Sequence, residues 1–195
     1  WDQKTGIDLP GEFSGFIPDP EWKKKTKGQG WWDGDTYNLS IGQGYLQITP
    51  LELANSFSAI ANGGTLYKPK VVQKIIDNPL GSPETVTEVS PEIIRSNFID
   101  AENLQVVREG MRLGVTGANT PDALATLLNT LPVKAAAKTG TAETGKKEVF
   151  NNWITVFAPY DDPQIVLTIV VQDVRGLQIV TASLAKDILQ WYFSR

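Results

Sequence analysis

Lys138-Thr139-Gly140-Thr141 is the stretch on which the interpretation of this chain depends. It combines a cation, two hydroxyl groups and a glycine, a set that can hold a carboxylate or an oxyanion. If the stretch is a strand at the rim of a sheet, alternation places Lys138 and Gly140 on one face and Thr139 and Thr141 on the other. Gly140, without a side chain, would let a ligand lie close against the main chain. The tetrapeptide therefore predicts an anion-binding site, provided that a sheet surrounds it.

The composition of the chain excludes several kinds of chemistry. Its 195 residues include no cysteine and no histidine, which removes thiol chemistry, disulfides, Ser-His-Asp triads and most zinc sites. We predict neither a metal nor another cofactor, and nucleophilic catalysis would need a hydroxyl activated by a lysine or a carboxylate. The net charge of −4 gives no electrostatic basis for nucleic-acid binding. The longest apolar stretch, residues 165–171, has only the length of a strand and could not span a membrane.

Residues 1–195 are expected to form part of a single domain of the α+β class. Residues 1–44 are rich in Gly, Pro, Asp and Trp without a sustained period, which predicts a loop-rich segment whose aromatic side chains pack on a larger body. Residues 49–62 are predicted to be a helix. Thr49 and Glu52 match the capping box, with a proline between them at the first helical position.

The middle of the chain alternates short strands and helices. Residues 71–77 and 85–89 are predicted to be strands, separated by a turn. A helix is expected over about residues 101–113, and a further one is expected to begin at Thr120-Pro121 and to stop before Pro132. In the helix over 101–113, the predicted inward residues are Leu104, Val107 and Met111, and Gly114 is expected just past its end.

Residues 134–195 are expected to supply the sheet and a terminal helix. The predicted strands are residues 134–141, 153–158 and 164–172, and short turns favour an antiparallel order. Residues 180–193 are predicted to be an amphipathic helix. Its face carrying Leu184, Ile188 and Trp191 is apolar.

Two other stretches suggest different chemistry. Residues 140–147 match a phosphate-binding loop except at Lys147, where that motif has the serine or threonine that ligates magnesium, and they precede a strand instead of a helix. Ser183 and Lys186 match a serine–lysine nucleophile pattern, but they lie in the middle of a helix, and chance explains them better. Lys4-Thr5-Gly6 leads into a turn and is interpreted as structural, as is the turn at residues 42–44.

Several motifs, taken in chain order, resemble the class B penicillin-binding proteins, and most of all the elongation-type group, penicillin-binding protein 2. The resemblance rests on residues 4–12, 38–54, 59–64 and 137–143, on Trp153 followed by residues 157–159, and on the closing strand and helix. It covers essentially the whole chain. It implies an antiparallel sheet flanked by helices, with a site built from Ser-x-x-Lys, Ser-x-Asn and Lys-Thr-Gly motifs.

The resemblance also implies roles for the tetrapeptide. The hydroxyls of Thr139 and Thr141 would hold the terminal carboxylate of a D-alanyl-D-alanine stem peptide or of a β-lactam, and Gly140 would keep the strand accessible. Lys138 would stabilise that carboxylate and the proton relay. The backbone N–H of Thr141 would be one of two oxyanion donors. We expect the full protein to be a serine-type peptidoglycan D,D-transpeptidase that serves cell-wall elongation and cell shape.

This sequence departs from the family pattern in one respect. It contains no credible Ser-x-x-Lys upstream of Lys138 and no Ser-x-Asn, and by family order both would precede Trp1. The chain is therefore expected to be the C-terminal part of a transpeptidase domain, inactive by itself. We expect the N-terminal remainder of the protein to complete the site and to place a strand beside residues 164–172.

The resemblance implies a setting as well. The full protein is expected on the periplasmic or extracytoplasmic face of the cell membrane, anchored by an N-terminal segment and bound to proteins of the cell-wall elongation complex. The alternative is a non-catalytic β-lactam-sensing or interaction module of the same fold, supported by the Trp-rich segment before Asn38. A nucleotide-binding protein, suggested by residues 140–147, is the remote third hypothesis.

Overall fold

A computed structural model describes residues 2–77, 84–118, 123–176 and 180–195. The α-helices are α1 (Pro20–Lys27), α2 (Asp33–Ser40), α3 (Pro50–Ala61), α4 (Ala101–Thr116) and α5 (Val180–Phe193), and Leu124–Thr130 is a 3₁₀ helix. The strands are β1 (Leu66–Tyr67), β2 (Lys74–Asp77), β3 (Glu84–Glu88), β4 (Ile93–Arg95), β5 (Ala136–Glu143), β6 (Val149–Ala158) and β7 (Ile165–Arg175). All described strand pairs are antiparallel, as predicted for an α+β fold. Within the described ranges, no helix has the length and apolarity needed to cross a bilayer.

The main sheet has the order β5-β6-β7, so β6 is central. Its residues 154–158 are all buried, since helices cover both faces. On one face, Ile154 and Val156 pack with Ala185 and Leu189 of α5 and with the 3₁₀ helix. On the other, Phe157 packs with residues of α3 and α4. Two helical layers thus fix the sheet and leave β5 at one margin.

Helix α3 begins and ends as the sequence predicts. The Thr49 hydroxyl accepts from the Glu52 N–H at 3.2 Å, and Glu52 Oε2 accepts from the Thr49 N–H at 2.7 Å. Gly63, with φ 87°, follows the C-cap Asn62 and lets the chain turn away. The capping box is confirmed, and Glu52 has a further partner, since its Oε1 accepts from the Gly15 N–H at 2.8 Å.

The prediction of an irregular segment over residues 1–44 is wrong in part, because the segment contains α1 and α2. Asp19 caps α1 by accepting from the Trp22 N–H at 2.7 Å, and Gly28, with φ 68°, ends the helix. Asp35 bonds the Trp32 N–H at 2.8 Å at the start of α2. Both helices are eight residues long and mostly polar, so local capping stabilises them without an apolar period.

Helix α4 is longer than predicted, and one of its three predicted inward residues is exposed. It continues through Gly114 to Thr116, and Gly117, with φ 70°, is the left-handed residue that ends it. Leu104 and Met111 are buried as predicted, but Val107 is 47% exposed. The predicted start of the next helix at residues 120–121 lies outside the described residues, and the described part is a 3₁₀ helix.

Strand boundaries also differ from the predicted ones. Strand β2 begins at Lys74 because the carboxylate of Asp8 accepts from the N–H groups of Val71 and Val72, at 2.7 and 3.0 Å, before the ladder starts. The two N–H groups also hold the pKa of Asp8 below its ordinary value of 3.8. Strand β5 starts and ends two residues later than predicted, β6 starts four residues earlier, and β7 ends three residues later.

Helix α5 has the predicted bounds, but its larger apolar residues face outward. Leu184, Ile188 and Trp191 are 41%, 41% and 58% exposed. The side that packs on the sheet is built from small residues with one leucine, namely Thr181, Ala182, Ala185 and Leu189. Small residues allow α5 to lie close to the strands, which the apolar pattern alone did not indicate.

Candidate functional site

The four predicted site residues all lie in β5, at a margin of the main sheet. Within the described chain β5 pairs with β6 alone. The Thr141 carbonyl accepts from the side chain of Gln43 at 3.1 Å, so it is directed away from β6. Because the N–H and C=O of one residue point to the same side in an antiparallel ladder, the Thr141 N–H is directed to the open margin as well. The same holds for Thr139, two residues earlier, whose carbonyl accepts from Lys138 Nζ at 2.5 Å.

The pleat separates the side chains of the tetrapeptide, as predicted. Lys138 and Gly140 are in register with Thr155 and Trp153, and Thr139 and Thr141 are in register with Ile154 and Asn152. Ammonium and hydroxyl groups therefore leave the strand on opposite faces. What the four residues share is the margin itself, where main-chain groups of Thr139 and Thr141 point outward. We call this margin, residues 138–141, the β5 rim.

A loop after α2 forms a second wall beside the β5 rim. Gly42 and Gly44 both have positive φ, 77° and 76°, and the Gln43 N–H donates to the Asn38 carbonyl at 2.8 Å. A Cβ on Gly44 would come within 3.3 Å of the Asn38 Cβ, so both the conformation and the space favour glycine. The loop projects the Gln43 carboxamide toward β5, where it bonds Thr141.

A cavity of about 320 Å³ lies between this loop and the strand end, lined by Asn38, Ile41, Gln43, Gly44, Glu143 and Gly145. The turn at residues 42–44 is predictable from the sequence, but the contact of Gln43 is not, because 98 residues separate it from Thr141. The local feature of the sequence that points to Gln43 is its polar side chain between two glycines.

Aromatic side chains pack together at Tyr45, immediately after this loop. Tyr45 contacts Trp22 with a centroid distance of 5.1 Å, and Trp22 contacts Phe16 at 4.8 Å. The ammonium of Lys27 lies 5.3 Å from the Tyr45 ring and 5.9 Å from the Trp22 ring. The main chain of Phe16 pairs with Gln47 at 2.8 and 3.0 Å, just after the loop. Part of the Trp-rich segment therefore packs on the body, as predicted, and supports the wall that carries Gln43.

A buried ion pair fixes α2 against α1. Lys23, 4% exposed, donates to Asp35 at 2.5 Å. This bond, together with the Trp32 N–H, holds the pKa of Asp35 below its ordinary value of 3.8. Lys23, the first of three consecutive lysines, thus has a structural role.

The chain is similar to known proteins over almost its whole length. The family described as the penicillin binding protein transpeptidase domain matches residues 1–190. The chain belongs to this family. The peptidoglycan D,D-transpeptidase MrdA of Haemophilus influenzae is 29% identical over 98% of the chain, which covers 31% of that relative. Penicillin-binding protein 2A of Bacillus subtilis is 32% identical over 97% of the chain, which covers 26% of that relative.

Solved structures agree with the family and confirm the predicted fold. The penicillin-binding protein PBP2 of Helicobacter pylori matches with a TM-score of 0.74 and 30% identity, over 98% of this chain and 33% of that one. PBP-2B of Streptococcus pneumoniae matches with a TM-score of 0.82 and 26% identity, over 99% of this chain and 30% of that one. The predicted resemblance to the transpeptidase part of class B, PBP2-type proteins is confirmed. The chain spans about a third of the length of the relatives it matches.

The second Lys-Thr-Gly stretch has a structural role in this member of the penicillin-binding protein family. The Thr5 hydroxyl and N–H both donate to Glu12 at 2.6 Å, and the Gly6 N–H does so at 3.0 Å. The hydroxyl is the main reason that the pKa of Glu12 lies below its ordinary value of 4.5. The second Lys-Thr-Gly, at residues 4–6, is thus bonded within its own turn, in agreement with its structural interpretation.

The stretch that resembles a phosphate-binding loop is a β-hairpin. The Thr144 hydroxyl donates to the Val149 carbonyl at 2.8 Å, closing the turn between β5 and β6, and Lys146 pairs with Asp173 at 2.9 Å. A strand follows, not a helix, so the N–H groups of a helix start are absent from this turn. Ser183 and Lys186 lie on α5, which packs on β6, β7 and the 3₁₀ helix.

A buried amide lies beneath the β5 rim. Asn152 is 5% exposed and in register with Thr141, and within the described ranges its Nδ2 has no hydrogen-bond partner. The face of the sheet that carries the threonine side chains therefore holds a donor unused by the described residues.

Proposed function

We propose that this chain is the substrate-clamping part of a serine-type peptidoglycan D,D-transpeptidase, the enzyme class that cross-links the cell wall. The observation that carries the proposal is the main chain of Thr141, whose N–H and C=O point outward from a margin that no described strand pairs with, beside a cavity. A short extended peptide can add to such a margin through main-chain hydrogen bonds. The family membership and the names of the relatives support the choice of an acyl-transfer reaction.

The chain's own residues have defined tasks in this proposal. The hydroxyls of Thr139 and Thr141 hold the terminal carboxylate of a D-alanyl-D-alanine stem peptide, or of a β-lactam. The ammonium of Lys138 leaves the strand on the other face but reaches the outward carbonyl of Thr139, so it supplies positive potential at the same margin and supports the proton relay. The Thr141 N–H donates to the oxyanion that forms when a serine hydroxyl attacks the carbonyl of the penultimate residue. Gly140 lies on the face that carries Lys138 and leaves that face open to a ligand that lies along the β5 rim.

The reaction itself proceeds through an ester. The serine oxygen bonds the carbonyl carbon, the peptide C–N bond breaks, and D-alanine leaves with the proton of the hydroxyl. An amine of a second peptide then attacks the ester, forms the new amide and returns the proton to the serine. In this proposal the serine belongs to the upstream part of the protein, so this chain alone is inactive.

The experiment measures acylation of the full-length protein by a labelled penicillin. Thr141→Pro removes the outward N–H without touching the ladder to β6, and proline is tolerated at strand margins. We expect it to lower the acylation rate by about 10²–10³-fold. Thr141→Ala keeps the N–H and loses the hydroxyl, so it separates the two groups. A wild-type acylation rate for Thr141→Pro would contradict the proposal.

The setting of the full protein belongs to the same proposal. We place it at the periplasmic or extracytoplasmic face of the cell membrane, anchored by an N-terminal segment, in a cell-wall elongation complex. One solved relative is a complex between PBP2 and MreC from Helicobacter pylori, which supports a protein similar to MreC as partner of the full protein.

A non-catalytic sensor or interaction module of the same fold is the second candidate. Phe13, Trp32, Tyr37 and Ile41 are 80%, 65%, 69% and 73% exposed, an apolar exposure that suits a protein partner. Turnover distinguishes the two candidates. A sensor would form the penicillin adduct but would not cross-link peptides.

A further inference from the structure

The side chain of Gln43 already occupies part of the β5 rim. Its Nε2 donates to the Thr141 carbonyl at 3.1 Å, and its Oε1 accepts from the Glu143 N–H at 3.4 Å. These are outward main-chain groups two residues apart. The carboxamide thus makes the two hydrogen bonds that an additional strand would make at the same place.

The geometry of an antiparallel ladder identifies the substrate group that would bond the Thr141 carbonyl in place of Gln43. In a hydrogen-bonded antiparallel pair, two opposite residues exchange both of their N–H···O bonds. A peptide residue whose reactive carbonyl points at the Thr141 N–H therefore presents its own N–H to the Thr141 carbonyl. That carbonyl is the acceptor that Gln43 holds in this structure.

We propose that Gln43 is a positioning residue that holds the β5 rim in the absence of substrate and yields the Thr141 carbonyl to the amide N–H of the acyl donor. This inference rests on the function proposed above. The Gln43 main chain stays anchored through its N–H bond to Asn38, so a side-chain rotation is sufficient. The cavity of about 320 Å³ beside Gln43 provides the space.

The exchange has a consequence for specificity. A donor with an amide N–H on the residue that carries the reactive carbonyl replaces the Gln43 hydrogen bond with its own. A donor without that N–H leaves the Gln43 bond in place and gains nothing from the Thr141 carbonyl. In the wild-type protein the acylation rate constants of the two donors therefore differ by less than the factor that one full hydrogen bond would give.

A pair of matched β-lactams tests this. One is a penicillin with an ordinary acylamino side chain, and the other is the same penicillin with that N–H replaced by an ester oxygen, which donates no hydrogen bond and adds no atom in the direction of the Thr141 carbonyl. The second-order acylation rate constant of the acylamino penicillin is divided by that of the second penicillin. This ratio is measured on the full-length wild-type protein, Gln43→Ala, Gln43→Glu and Gln47→Ala. A ratio within one protein does not depend on the fraction of active molecules, so partial misfolding of a variant does not affect it.

We expect Gln43→Ala to raise the ratio by about twofold to tenfold, the value of one net hydrogen bond, because the amide donor no longer competes with the glutamine. Gln43→Glu keeps an acceptor for the Glu143 N–H but has no donor for Thr141, so its ratio rises as well. Gln47→Ala changes an exposed glutamine of the neighbouring segment and leaves the ratio unchanged.

Equal ratios in wild type and both Gln43 variants would overturn the inference, even if both variants react more slowly, since a merely structural loop residue affects both donors alike. If neither donor acylates the wild-type protein, the proposed function itself is wrong, and the inference falls with it.

Discussion

Replacing Gly140 by alanine is expected to affect ligand binding at the β5 rim without lowering the stability of the fold. Gly140 is not among the glycines with positive φ, so its backbone conformation suits any residue. A Cβ at this position would have one close neighbour, the Cβ of Trp153 at 3.5 Å, which is an ordinary van der Waals contact. The protein itself therefore has room for the methyl group.

The expected effect of Gly140→Ala on stability is neutral or slightly favourable. Glycine in a strand is about 0.5–1 kcal/mol less favourable than alanine because it loses more backbone freedom on folding. The effect on function is large if a ligand lies against this face of the strand, since the methyl group would then push it outward. A displacement of about 1 Å from the reactive geometry lowers the rate by about 10²-fold.

The assay is acylation of the full-length protein by a labelled penicillin, with thermal unfolding measured on the same samples. Gly110→Ala is the matched control, because Gly110 lies in α4 and a Cβ there meets nothing within 4 Å. We expect the control to react at the wild-type rate and Gly140→Ala to react about 10²-fold more slowly at an unchanged or slightly raised melting temperature. Wild-type acylation of Gly140→Ala would refute the view that a ligand lies against this strand.

Three further predictions concern stability, each followed by urea unfolding of the full-length protein. Arg108→Ala is expected to lower the free energy of unfolding by about 2–3 kcal/mol, because its guanidinium donates to carbonyls of the last turn of α3 and to Tyr160; Arg108→Lys should retain part of this. Glu52→Ala should lower it by about 3 kcal/mol by leaving two main-chain N–H groups without their carboxylate, and Glu52→Gln by less. The pKa of Glu12 lies below 4.5, chiefly through the Thr5 hydroxyl, so its contribution is complete above that pH and is lost as the pH falls through the lowered value. Glu12→Gln should therefore weaken the fall in stability on acidification, and an unchanged acid profile would contradict this assignment.

Features encoded by a few neighbouring residues could be predicted from the sequence. The start of α3 follows from Thr49 and Glu52, whose predicted reciprocal bonds form at 3.2 and 2.7 Å. The antiparallel order of the main sheet follows from the short turns between its strands. The alternation of Lys138 and Thr139 follows from the period of any strand once the strand is identified.

Features that depend on contacts distant in sequence could not be predicted. Helices α1 and α2 have no apolar period, and the Lys23–Asp35 pair between them becomes visible only in the fold. The inward side of α4 depends on which neighbours it meets, which is why Val107 is exposed. The second wall of the site depends on Gln43 reaching a strand 98 residues away.

The central claim is that this chain supplies the rim that holds the substrate, while the attacking serine comes from the upstream part of the protein. The most direct test exposes the purified 195-residue chain, alone and then combined with the upstream segment, to a labelled penicillin. We predict no covalent adduct on the chain alone, and an adduct on the upstream segment once the two are combined. A covalent adduct on the isolated chain would contradict the claim.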